Sequence, residues 1–80
     1  MDYQDIYDKI ILNAQYKNRT KKDGIVYENH HIIPKCVGGI DARHNTVLLT
    51  PKEHFICHKL LCFIYNSDKL KFAFWACVIN

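Results

Sequence analysis

The sequence predicts an α+β fold in which two short strands and a helix form a central unit, with one further helix before it and one after it. Three observations carry this expectation. Apolar residues recur at three- and four-residue spacing over residues 2–18, the period of one helix face. Two stretches with strand character, Ile25 to Ile33 and Thr46 to Thr50, enclose a loop that holds Gly38 and Gly39. Thr50-Pro51-Lys52-Glu53 then has the form of a capping box with proline at the first helical position.

Taken in order, the first helix runs over residues 2–18. Asp2 or a neighbour caps it, Asp5 suits the first turn, and Tyr3, Ile6, Tyr7, Ile10, Ile11 and Ala14 share its apolar face. Thr20 to Gly24 is a polar loop ending in the turn signal Asp23-Gly24. The first strand ends at Pro34, which has no amide hydrogen to donate to a ladder. Gly38, Gly39 and Asp41 mark a loop expected to need positive φ angles. The second strand is short and β-branched, and the central helix runs from Pro51 to Tyr65 and stops at Asn66. Ser67 or Asp68 caps a last helix, Lys69 to about Ile79, whose Leu70, Phe72, Phe74, Trp75 and Val78 are expected to pack on the rest, as is Phe63. The domain organisation is a single unit over 1–80: helix and basic loop in 1–24, strand–strand–helix core in 25–65, C-terminal helix in 66–80.

Eighty residues lie near the lower limit for a fold held by its apolar core alone, so a metal or disulfide staple is expected. The acidic, polar start Met1-Asp2-Tyr3-Gln4-Asp5 is the opposite of a secretory signal, and Cys36, Cys57, Cys62 and Cys77 form no CxxC pair. The expectation is an intracellular, cytoplasmic protein (in the host cell if phage-encoded) with reduced thiols, Cys57, Cys62 and Cys77 acting as small buried apolar groups. No apolar run reaches the roughly 20 residues that span a bilayer. The net charge of +3 is mild. Lys17, Arg19, Lys21 and Lys22 cluster, and Lys35, Arg43, Lys52 and Lys59 follow singly. Such a cluster either attracts a polyanion or is a solvated helix end, and the sequence leaves both open.

All five histidines lie between positions 30 and 58. Imidazole is both a common metal ligand and the usual general base near neutral pH, so the clustering points to a metal site with a base beside it, the chemistry of metal-assisted phosphodiester hydrolysis. His54 and His58 leave one helix face a turn apart and can grip one cation. His30 and His31, adjacent on a strand, point to opposite faces, so that if His30 meets a metal His31 is free to act on water. His44 is expected to be exposed.

His30-His31-Ile32-Ile33-Pro34-Lys35, then Gly38-Gly39, then Asn45-x-Val47-x-Leu49-Thr50, then Glu53-His54 and His58, resemble the HNH endonuclease motif over residues 27–62. The likeness is to the homing-type HNH nucleases of phages and mobile introns in particular. The resemblance implies a ββα-metal finger, treble-clef-like, cleaving DNA with one divalent ion held by His30, His54 and His58 and with His31 as general base. It implies a structural Asn45 that bonds backbone across the glycine loop and holds His31, and less readily an Asn45 that ligates the metal. Three neutral imidazoles suit Zn²⁺, Ni²⁺ or Mn²⁺ better than Mg²⁺, yet family members vary, so only a divalent cation is specified. Glu28 and Glu53 are candidates to fix imidazole tautomers. Lys35, Arg43, Lys52 and Lys59 are the candidate phosphate contacts. Specificity would come from a homodimer or from a DNA-recognition region outside the chain, and RNA or branched DNA is not separated from DNA. The competing reading is a non-catalytic zinc or DNA-binding module with Cys57 and Cys36 among the ligands. The apolar ending Trp75 to Asn80 has no C-cap, so it either packs tightly or continues into something longer.

Overall fold

Residues 1–72 are described by the computed structural model; the expectations for Phe74, Trp75, Cys77 and Val78 lie outside them. The first helix, α1 (Tyr3–Tyr16), starts where Asp2 leaves helical geometry and its carboxylate accepts the Asp5 amide at 3.0 Å. Its apolar face buries Tyr7, Ile11 and Ala14, with Tyr3, Ile6 and Ile10 half-covered at the margins.

Two strands follow, β1 (Glu28–His31) and β2 (Thr46–Leu49), paired antiparallel with His30 opposite Val47 and His31 opposite Thr46. The first strand is shorter than predicted. Ile25 and Val26 are exposed and outside the ladder, because β2 offers only four residues to pair with. Pleating sends Glu28, His30, Val47 and Leu49 to one face and Asn29, His31, Thr46 and Leu48 to the other. The loop between the strands is built from two single 3-10 turns, Lys35–Val37 and Arg43–Asn45, too short to show a periodicity. Gly38 has φ 102°, as expected of a left-handed position. Gly39 does not; it is required because a β-carbon there would lie 1.7 Å from the Ile33 carbonyl oxygen.

The second long helix, α2 (Pro51–Tyr65), opens with the capping box: the Thr50 hydroxyl accepts the Glu53 amide at 3.2 Å and the Glu53 carboxylate accepts the Thr50 amide at 2.9 Å. It closes at Asn66, left-handed at φ 48°. Arg19 locks this start in place, donating to both Glu53 oxygens at 2.6 and 3.1 Å and to the Leu48 carbonyl at 3.2 Å. That commitment removes Arg19 from the basic cluster as a phosphate contact; Lys17, Lys21 and Lys22 remain exposed.

Both helices cover the same face of the hairpin. Tyr7, Ile11 and Ala14 meet Val47 and Leu49 of the sheet and Cys57, Leu60 and Leu61 of α2. Leu70, from a helical stretch over 68–72, completes the cluster. Each fully buried Leu or Ile contributes about 1.5–3 kcal/mol. Two aromatics predicted for the core are not in it. Phe72 is exposed, since two residues along a helix from the inward Leu70 is nearly half a turn away. Phe63 is also exposed, flanking the α2 stripe and stacking on Tyr3 at 4.8 Å between centroids. No helix among the described residues is long and apolar enough to cross a membrane.

Candidate functional site

The hairpin face that carries the core also carries His30, which is 1 % exposed. Across from it α2 presents His54 and His58 one turn apart, on the stripe that continues to Leu61. The ring centroids stand 5.1 Å (His30–His54), 5.6 Å (His30–His58) and 4.6 Å (His54–His58) apart. Each ring offers one nitrogen within 4.8 Å of the other two. The Nε2 atoms of His54 and His58 face each other at 3.0 Å, close to the roughly 3.3 Å between two imidazole nitrogens sharing a tetrahedral zinc at ~2.0–2.1 Å.

The donor set fits a cation in three further respects. The Nδ1 atom of His30 is buried and has no hydrogen-bond partner among the described residues, a polar atom that costs about 1–3 kcal/mol to leave unsatisfied. Burial, helped by His54 and His58, pushes the His30 pKa down to about 3, so the ring is neutral at any ordinary pH. Burial lowers that of His58 as well. Finally, Glu28, on the same pleat face as His30, accepts from His54 Nδ1 at 3.0 Å and so leaves His54 Nε2 as the basic nitrogen. Of the two glutamates considered, Glu28 holds a cluster histidine; Glu53 is spent on Arg19 and the Thr50 cap, and its carboxyl is held below the usual range by Arg19.

Neither cysteine of the competing reading joins the triad. Cys57 is fully buried in the core, where desolvation pushes its thiol up to about 12, and Cys36 is exposed. No fourth Cys, His, Asp or Glu completes the group among the described residues. The side chain of His31 leaves the opposite face of β1, half-buried, and its Nε2 donates to Asp41 at 2.5 Å. Lys35 pairs with the other Asp41 oxygen, and together Lys35 and His31 hold that carboxyl below its usual range. A cleft of about 350 Å³ joins these parts, lined by His30, His31, Lys35, Cys36, His54 and His58 among others.

Asn45 is 5 % exposed, and its amide is wholly engaged with backbone. Its Oδ1 accepts the Ile33 amide at 2.8 Å, and its Nδ2 donates to the carbonyls of Ile33 (3.0 Å) and Ile40 (2.9 Å). An Asn45→Ala chain loses all three bonds in a buried loop and should unfold in urea with about 2–4 kcal/mol less stability. A loss within the few tenths typical of surface sites would reject this bridging role.

The remaining candidates are dispersed. Lys35 lines the histidine cleft; Arg43 lines instead a second cleft of about 450 Å³ with Gln15, Asn18, Arg19 and Asn29. Lys52 and Lys59 are exposed on α2 and His44 is exposed on its 3-10 turn. Asp41 and Tyr7, both in contact with histidines, were not legible as site residues. The length of the loop from His31 to Asp41 carries no pairing rule. A tyrosine on an apolar helix face signals only that its hydroxyl needs some partner.

A two-stranded antiparallel hairpin followed by a helix, with three imidazoles gathered between them, makes this chain a ββα-metal finger. It is homologous to one segment of several phage proteins. It is 45 % identical over 78 residues (95 % of this chain, 30 % of the relative) to Probable mobile endonuclease D of Enterobacteria phage T4. It is 44 % identical over 75 residues (94 % and 51 %) to Probable mobile endonuclease E, and 46 % over 74 residues (91 % and 28 %) to Probable mobile endonuclease B of the same phage. The chain thus spans about half or less of the length of these relatives. No protein-family model matches it, and no solved structure matches it.

Proposed function

We propose that this chain is the nuclease finger of an HNH endonuclease of the phage homing type, hydrolysing DNA phosphodiester bonds with one divalent metal ion. The observation that carries the reading is a division of labour across one strand: His30 meets His54 and His58 on one face of β1, and His31 stands free of them on the other. In this reading His30, His54 and His58 hold the cation. When bound, it would draw charge from the scissile phosphate and the departing oxygen. His31 then acts on water. Asp41 accepts its Nε2 hydrogen, leaving Nδ1 as the basic nitrogen that takes the proton as the water attacks phosphorus. Asn45 fixes the loop that returns Asp41 to His31, because it ties Ile33, just beyond β1, to Ile40, the neighbour of Asp41.

Lys35, in the same cleft, is the cation best set to meet phosphate; Arg43, Lys52 and Lys59 would track the backbone farther out. Target choice would rest on a recognition region outside this chain or on a homodimer, and the site of action is the cytoplasm of the host cell. The test is plasmid cleavage with and without chelator. Nicking or cutting that stops on chelation and returns with added Zn²⁺, Ni²⁺ or Mn²⁺ is expected; cleavage that persists in chelator would exclude the metal mechanism.

A further inference from the structure

The buried hydroxyl of Tyr7 stands between the first helix and the histidine cluster. It lies 2.7 Å from His30 Nε2 and 2.7 Å from the Ile32 carbonyl oxygen. A phenol carries one hydrogen and a carbonyl oxygen can only accept, so the Tyr7 hydrogen goes to Ile32. Directed the other way, it would leave two oxygens facing each other at 2.7 Å with no hydrogen between them. The bond to His30 therefore needs a hydrogen on Nε2, donated to the tyrosine oxygen. A neutral imidazole with Nε2–H has its lone pair on Nδ1, the nitrogen of His30 that is buried and without a partner among the described residues.

We propose that Tyr7 is a positioning residue of the metal centre: it holds His30 in the Nε2–H tautomer, so that Nδ1 is the ligand atom presented beside His54 and His58. This rests on the reading of the three histidines as metal ligands. It makes α1 part of the centre, although none of its residues touches the cation. It also gives the two ends of the site matching devices, with Tyr7 setting one ring from the core side and Glu28 setting His54 from the solvent side.

The substitution Tyr7→Phe keeps the ring and its packing and removes the hydroxyl alone. Zn²⁺ affinity of the whole chain, measured by competition with a chelating dye, should fall roughly 10–100-fold. The absorption bands of the Co²⁺-loaded protein should change with it. Ile11→Val, a core change on the same helix, should leave both unchanged, which separates positioning from a general loss of stability. Equal Zn²⁺ affinity for wild type and Tyr7→Phe would overturn the inference while the metal site stood. A wild-type chain that takes up neither ion would overturn the metal reading and this inference with it. Should Tyr7→Phe fail to fold, ¹⁵N spectra of the metal-free wild type decide the matter: the hydrogen of His30 is expected on Nε2, and finding it on Nδ1 would overturn the assignment.

Discussion

Replacing His31 with alanine is expected to slow DNA cleavage by roughly 10²–10⁴-fold, the usual cost of losing a positioned base, while metal uptake stays as in the wild type. The two effects separate because of the pleat. His30 and His31 share a backbone but not a face: one is sealed beneath two helices, the other opens on the cleft and is held by Asp41. Truncating His31 removes no group from the cluster of His30, His54 and His58. The check is a pair of measurements on the same preparation, single-turnover plasmid cleavage and Zn²⁺ titration. Loss of both in equal measure would make His31 a ligand and leave the water without an assigned base. Full retention of cleavage would remove it from the chemistry.

How much of this could be read from residues alone depended on whether the cause was local. The α2 helix was legible to its ends, Pro51 and Tyr65, because a capping box and a left-handed asparagine are local devices. The α1 face was equally plain, since three- and four-residue spacing needs no partner to be recognised. The β1 strand was overextended because its length is set by what β2 can pair with, a property of another segment. Phe63 and Phe72 misled for the same reason: apolar character says that a residue can be buried, not which side of its helix finds a neighbour. In the site, parity along β1 separates His30 from His31, and helical spacing joins His54 to His58. Contacts that depend on chain return, Asp41 to His31 over ten residues and Tyr7 to His30 over twenty-three, carry no sequence rule.

Acid should begin to destabilise the metal-free chain well above the pH at which carboxylates protonate, and a bound cation should shift that loss to lower pH. The His30 ring is held near 3 in the folded protein by burial, against ~6.5 in an unfolded chain. Between those values the unfolded state binds a proton that the folded state excludes. Stability therefore falls as pH falls, by roughly 1.4 kcal/mol per pH unit for this one group, starting below ~6.5 and levelling off near 3. His58, also lowered by burial, adds in the same direction. A domain of this size has only about 4–12 kcal/mol in total, so roughly three pH units of that slope consume much of it. Glu53, held down by Arg19, begins to lose its contribution only below the ordinary carboxylate value of ~4.3, so between ~6.5 and ~4.3 the histidine slope acts without it. Thermal melts by circular dichroism from pH 7.5 to 4, with chelator and with Zn²⁺, test this directly. The expected curves diverge as pH drops, because protons and the cation compete for the same imidazole lone pairs and the metal-loaded fold yields only once the cation is displaced. A chelated chain with a flat melting temperature from ~6.5 to ~4.5 would show that His30 is not shielded from protons, against the burial on which its proposed role as a neutral ligand depends.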